Sequence, residues 1–261
     1  MRPTPTSSSG KGKSILEVRD LSVTYTDEKG SLQAIEKISF SVAPEQFICI
    51  VGPSGSGKST LLKILAGLLK PTEGKVVLNG RELDGPRQGV GVVFQKTNLM
   101  PWRTVTKNIT LPLEVEGVPF PEARDRAQDL IDLVGLTGFE EWLPQDLSGG
   151  MVQRVSIARS LIHQPKVMLL DEPFGALDAL TREKMASELL RIWQARKKTV
   201  MMVTHDIPEA VYLADRVLAF SPQPGNLRLD LAVELDRPRR EEDRYTRQFV
   251  DYTQALREAI R

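Results

Sequence analysis

Nine consecutive residues, Gly52-Pro53-Ser54-Gly55-Ser56-Gly57-Lys58-Ser59-Thr60, constrain this chain more than any other segment. They follow the apolar run Phe47-Ile48-Cys49-Ile50-Val51 and precede Leu61, Ile64, Leu65, Leu68 and Leu69, which repeat at helical spacing until Lys70-Pro71. The spacing is Gly, four residues, Gly-Lys-Ser, set between a predicted strand and a predicted helix. In that context the glycines let backbone N–H groups turn inward, and the helix N-terminus adds a potential that favours anions. The chemistry fits a nucleoside triphosphate: Lys58 reaches the β and γ phosphates, the Ser59 hydroxyl ligates Mg²⁺, and Thr60 is a further donor near the α phosphate. A Gly-Ser turn ahead of a core helix is the plain structural alternative, and the flanking strand and helix weigh against it.

The rest of the chain organises around that unit. Residues 1–13 combine Pro, Ser, Thr and Gly without apolar periodicity and read as a flexible tail. Short β-rich runs then dominate: ILEV, LSVTY, AIEKISFSV, FICIVG, KVVLNG and GVGVVF. From about 96 to 164 the pattern turns helical, with PEARDRAQDLIDLVGL amphipathic and a further helix expected from Gly149 to His163. Strand-like VMLLD, TVMMVTH and RVLAF return afterwards, alternating with helical stretches as in a parallel sheet. The expectation is an α/β core over 14–220 with a mainly parallel sheet, an antiparallel β subdomain and a helical subdomain inserted at about 96–164. Residues 221–261 read as an extension: a Pro-rich turn, a polar link and a helix carrying Tyr245, Phe249, Tyr252, Leu256 and Ile260 on one face.

Composition narrows the partners. Lys plus Arg number 35 against 34 Asp plus Glu, so no overall field argues for nucleic acid. No apolar stretch approaches the roughly 20 residues that cross a bilayer. The single cysteine, Cys49, lies inside an apolar run and reads as a small packed hydrophobe, which suits a reducing compartment.

Two further strand ends carry chemistry. Val167-Met168-Leu169-Leu170-Asp171-Glu172-Pro173 is an apolar strand closed by two acids and a proline that forbids further ladder pairing. At the C-terminal edge of a parallel sheet Asp171 suits the Mg²⁺ shell and Glu172 suits polarising an attacking water, against the alternative of a cap or solvated turn. Thr199-Val200-Met201-Met202-Val203-Thr204-His205-Asp206 brings His205 to the same kind of edge, where contact with a γ phosphate competes with a structural role. His163, beside Gln164-Pro165, suits a helix C-terminus. Leu147-Ser148-Gly149-Gly150-Met151-Val152-Gln153-Arg154 presents a serine N-cap and two glycines at a helix start, a second place for a phosphate.

Taken together, these motifs make the sequence resemble the ATP-binding cassette subunit of an ABC transporter over essentially all of residues 15–220. The resemblance implies a head-to-tail dimer in which Ser148, Gly149 and Gly150 of one copy close over the nucleotide held by the phosphate loop of the other, so that two chains sandwich two ATPs. It implies that Tyr25 stacks on adenine, although a strand tyrosine also packs. It further implies that Gln95 senses Mg²⁺ and the γ phosphate, and that Asp178, in Gly175-Ala176-Leu177-Asp178, links the two sites. Met151 stands where Gln is commonest in the family, and Glu172 and His205 are both present, as in a hydrolysing cassette.

Asn98-Leu99-Met100-Pro101-Trp102-Arg103-Thr104-Val105, Asn108-Ile109, Leu111-Pro112-Leu113-Glu114, Ser221-Pro222, Pro224-Gly225 and Asp236-Arg237-Pro238-Arg239 are similar to the nitrate, sulfonate and taurine branch of bacterial importers. That likeness implies integral-membrane permease partners, indirectly a solute-binding protein, no nucleic acid, and a place on the cytoplasmic face of the membrane. Trp102 then either lines the permease groove or fills the helical subdomain. Soluble cassette ATPases acting on nucleic acid or ribosomes are the rival class, though they usually carry two cassettes per chain; a non-hydrolysing regulatory cassette is a third.

Overall fold

The computed structural model describes residues 14–27 and 30–261, so the tail expected over 1–13 lies outside the described residues. In chain order the elements are β1 (Leu16–Asp27), β2 (Gly30–Val42), β3 (Phe47–Val51), α1 (Lys58–Leu65), β4 (Glu73–Leu78), β5 (Arg81–Glu82) and β6 (Val90–Val93). There follow α2 (Val105–Val115), α3 (Phe120–Leu133), α4 (Gly149–Leu161), β7 (Val167–Asp171), α5 (Ala179–Arg196), β8 (Thr199–Val203), α6 (Ile207–Leu213), β9 (Arg216–Phe220), β10 (Leu227–Ala232) and α7 (Arg247–Ala259). They fall into two compact units, one of residues up to Arg87 together with Thr199–Arg261, the other Gln88–Lys198.

In the first unit β1 runs antiparallel to both β2 and β4, and β4 to β5, in the order β2-β1-β4-β5. The two runs ILEV and LSVTY, separate in the sequence pattern, are one strand broken by a bulge. Leu16 and Val18 are buried, then Leu21 and Val23, so the buried positions change from even to odd numbers across Asp20, whose φ is 45°. A strand alternates faces with a period of two, and one extra residue is what returns the apolar side chains to the core face. On β2 the parity changes likewise across Lys37, φ 39°, from Ile35 to Ile38. Asn79-Gly80, both at positive φ, make the two-residue hairpin between β4 and β5.

The same unit holds β3 paired parallel with β8 on one side and β9 on the other, with β10 antiparallel to β9. Every residue of β3 and of β8 is buried, as strands covered on both faces require. Cys49 is among them, fully buried as expected, and burial pushes its thiol pKa well up. The helix α1 stops earlier than Lys70-Pro71. Gly67 (φ 73°) closes it: its N–H donates to Ile64 O and that of Leu68 to Lys63 O, which leaves Leu68 half-exposed. The link read as merely polar contains β10, whose alternation of Leu227, Leu229 and Leu231 was the signal for it, and Arg216 on β9 pairs with Asp230 across the ladder. The final helix packs Phe249, Thr253 and Leu256 inward, while Tyr245 lies before it in a 3-10 turn and is 86% exposed.

In the second unit β6 and β7 pair in parallel, and α2, α3, α4 and α5 supply its helical part. Among the described residues no helix is long and apolar enough to cross a membrane.

Candidate active site

The phosphate loop occupies the turn from β3 into α1. Gly55 and Gly57 take φ of 81° and 80°, values at which a side chain is strained. A Cβ at Gly57 would also stand 2.6 Å from Ile35 Cγ1 and 2.7 Å from Ala34 O. Gly57 is the N-cap of α1 and offers its first turn no side-chain acceptor, whereas α2, α4, α5, α6 and α7 are capped by Thr104, Ser148, Asp178, Asp206 and Thr246. A helix start with a glycine cap at positive φ suits a phosphate, whose charge meets the positive end of the helix dipole. Lys58 is buried within the loop, donating to Gly52 O (2.9 Å), Pro53 O (2.7 Å) and Ser56 Oγ (3.2 Å). Pro53 and Ser54 form the outer arc, with Ser54 exposed, while Ser56 is buried. Ser59 and Thr60 follow Lys58 in the first turn of α1, and Thr60 Oγ1 lies 3.1 Å from the hydroxyl of Tyr25, which is 40% exposed on β1.

His205, in the same unit, sits exposed just past β8. Its backbone is set by neighbours that sequence inspection passed over. Thr204 is buried and donates its hydroxyl to Glu209; the same oxygen accepts from Asp206 N (3.0 Å), and Asp206 in turn caps Glu209 N (2.9 Å). A glutamate six residues beyond the strand end, in the first turn of the next helix, was the available signal.

In the second unit β7 ends at Asp171, half-buried, and Glu172 follows with φ 43°. A glutamate in the left-handed region is uncommon, and such backbone positions gather where a side chain must be aimed. Its Oε2 accepts from Gln95 Nε2 at 3.4 Å, so these two candidates meet, and the Gln95 amide oxygen remains as an acceptor. Ser148 caps α4 by accepting from Met151 N (3.3 Å). Gly149 and Gly150 let that first turn approach the start of α5: added Cβ atoms would lie 3.3 Å from Leu177 Cδ2 and from Thr181 Cγ2 respectively. Asp178 caps α5 through Thr181 N (3.0 Å), and hydrogen bonds from Thr181 hold its carboxyl below the usual carboxylate range. His163 follows the end of α4, with Nε2 3.4 Å from Val90 O.

A family model described as ABC transporter matches residues 35–175. The nitrate import ATP-binding protein NrtD of Synechocystis sp. is 46% identical over 220 residues, 84% of this chain and 83% of that one. This chain belongs to the ABC transporter family. The aliphatic sulfonates import ATP-binding protein SsuB of Bacillus cereus is 41% identical over 224 residues, 86% of this cassette and 88% of its own length. Among solved structures, the ATP-binding cassette MJ0796, a dimer in a post-hydrolysis state bound to ADP and Pi, superposes with a TM-score of 0.74 at 32% identity, covering 85% of this chain and all of that one. The cassette is accordingly an α/β ABC-type ATPase that binds ATP.

One open point of the sequence is decided by exposure. Trp102 is 72% exposed, so it does not fill the core of the cassette's helical part. The loop that carries it is pinned by Asn108, fully buried on α2: Oδ1 accepts from Met100 N (2.8 Å), and Nδ2 donates to Met100 O (3.1 Å), Arg103 O (2.9 Å) and Thr104 O (3.1 Å). A side chain satisfied this fully fixes the loop rigidly with the indole outward.

Proposed function

We propose that this cassette is the ATP-hydrolysing subunit of an ABC importer, coupling nucleotide-driven closure and reopening of a head-to-tail pair to transport by a separate integral-membrane permease. The observation that carries the reading is the pair of phosphate-suited helix starts in one chain, the loop Gly52–Thr60 with Lys58 in its cradle and the Ser148-capped start of α4. One nucleotide needs one cradle, and the second is explained when Ser148, Gly149 and Gly150 serve the nucleotide of the other copy. Gly52 to Gly57, Lys58, Ser59 and Thr60 bind the phosphates, Tyr25 stacks on adenine and Asp178 links the two sites. Ser59, Gln95 and Asp171, all oxygen donors, are the residues assigned to Mg²⁺, which when bound neutralises charge on the phosphates. Glu172 polarises the attacking water and His205 meets the charge that builds on the γ phosphate. The relatives NrtD and SsuB, nitrate and aliphatic sulfonates import proteins, support a small solute such as nitrate, a sulfonate or taurine, captured by a solute-binding protein. The cassette then works at the cytoplasmic face of the membrane, with the outward Trp102 loop as its permease contact.

Glu172→Gln tests the reading. ATP binding should persist while turnover falls by two or more orders of magnitude, on the order of what an assigned water-polarising group supplies, and size-exclusion chromatography with Mg-ATP should show a stable dimer. Full turnover by this variant contradicts the assignment.

A further inference from the structure

The phosphate loop is crowded by its neighbours in the first unit at a place the motif itself does not record. Residues 221–226 turn the chain from β9 to β10, and Gly225 lies against the loop so tightly that a Cβ there would stand 2.1 Å from Ser56 O and 3.2 Å from Ala34 O, whereas Cβ contacts below 3.0 Å are essentially never seen. The turn is fastened on two sides. Gly225 N donates to Ala34 O (3.0 Å), Gly225 O accepts from Glu36 N (2.9 Å), and Gln223 Nε2 donates to Gln33 O (3.3 Å), which ties it to β2. Internally the buried Ser221 hydroxyl lies 2.9 Å from Pro222 O and from Pro224 O as donor and accepts from Asn226 N at 2.9 Å, while Ser221 N donates to Asn226 O at 2.9 Å.

We propose that this turn is a brace for the phosphate loop and that Gly225 is a positioning residue for nucleotide binding. The mechanism follows from the planarity of one peptide. The Ser56 carbonyl and the Gly57 N–H belong to the same rigid plane and point to opposite edges of it. The carbonyl is packed against Gly225, so the direction of the Gly57 N–H is set by where Gly225 lies. That N–H is one of the donors assigned to phosphate, and the proposal rests on that assignment. A side chain at 225 displaces or rotates the Ser56–Gly57 peptide and re-aims the donor, because its Cβ would overlap Ser56 O and stand 2.9 Å from the Ser56 carbonyl carbon, while Ala34 O and Ile35 already crowd Gly57. The C-terminal extension thereby reaches the chemistry through its first turn.

The test uses the full chain with four variants. Gly225→Ala should raise the KM for ATP and weaken equilibrium ATP binding by about tenfold or more, with kcat changed less than about threefold, the pattern of lost binding rather than lost chemistry. Ser221→Ala loosens the turn without a clash and should give a smaller rise, roughly twofold to fivefold in KM. Gly85→Ala, where an added Cβ meets nothing within 4 Å, is the control and should match wild type. Lys58→Ala separates the two levels of the argument. If it binds ATP as wild type does, the phosphate-loop assignment fails. If it loses ATP while Gly225→Ala keeps the wild-type KM, even with a lowered Tm, the brace is overturned and the loop assignment stands. Should Gly225→Ala fail to fold, an unchanged KM in Ser221→Ala overturns the proposal by itself.

Discussion

Arg239→Met puts a number on what the segment after β10 contributes to the nucleotide-binding unit. Arg239 is 7% exposed, and its Nη1 donates to Val211 O (2.8 Å) and Tyr212 O (2.9 Å), with Nη2 3.4 Å from Val233 O. Those first two carbonyls close α6, the helix that starts two residues after His205, and α6 has no basic residue of its own in its last turn. Carbonyls at a helix end need external donors, and a cation there also meets the negative end of the helix dipole. Burial, with the neighbouring Arg237 guanidinium, lowers the Arg239 pKa to about 10, a net penalty on the charged form on the order of 3 kcal/mol at roughly 1.4 kcal/mol per tenfold. Two short charge-assisted bonds contribute roughly 1.5–3 kcal/mol each, so together they exceed that cost only modestly. Methionine keeps the length of the side chain but supplies no donor, and the net loss is about 1–3 kcal/mol, equivalent to a fall in Tm of roughly 2–6 °C for a chain of this size. Thermal unfolding followed by circular dichroism, with a urea titration to confirm an unchanged m-value, reads it directly. Arg239→Lys should fall between the two, since one ammonium cannot match the guanidinium fork. A Tm within 1 °C of wild type for Arg239→Met would show that burial already cancels the bonds, and the capping argument would be wrong.

Other expectations are as direct. The Asp178 carboxyl is held low by Thr181, so its contribution is fully present above the unfolded carboxylate pKa and is lost as pH falls through the folded value; the Tm difference between wild type and Asp178→Ala should shrink below about pH 4. Trp102→Ala should leave Tm and the ATPase rate of the isolated cassette unchanged, since the indole is 72% exposed, yet reduce ATPase stimulation by permease in proteoliposomes. Asn108→Ala should lower stability by roughly 2–4 kcal/mol, read as a fall in Tm, because Met100 N and Arg103 O lose their side-chain partner. Cys49 should resist a thiol reagent in the native protein and react completely once unfolded, as a buried thiol with a raised pKa must.

Much of the candidate site was legible because its requirements are local. Gly55 and Gly57 occupy backbone conformations that side chains avoid, Ser148 caps the helix it precedes, and Asp171-Glu172-Pro173 ends a strand that must be apolar on both faces, whereas Asp178 entered only through the family resemblance. The misses were of another kind. The early stop of α1 came from a Schellman turn at Gly67, where a Cβ would meet Gly85 O at 2.2 Å, rather than from the proline further on. Tyr245 shares the helical spacing of Phe249 and Leu256 but falls outside the helix, because Thr246 takes the N-cap and accepts from Phe249 N. The bulge at Asp20 split β1 into the apparent fragments ILEV and LSVTY.

The amino-acid sequence alone determined the strand, loop and helix that make a phosphate cradle, the acids at the end of β7 and the alternation of elements that gives an α/β sheet, since each depends on backbone geometry and periodicity within a few consecutive residues. Tertiary structure decided that Trp102 faces outward, that Arg239 closes α6 and that Gly225 bears on Ser56. Those outcomes arise where segments distant along the chain are pressed together, and which carbonyl then lacks a donor, or which glycine lacks room, is a property of that packing alone.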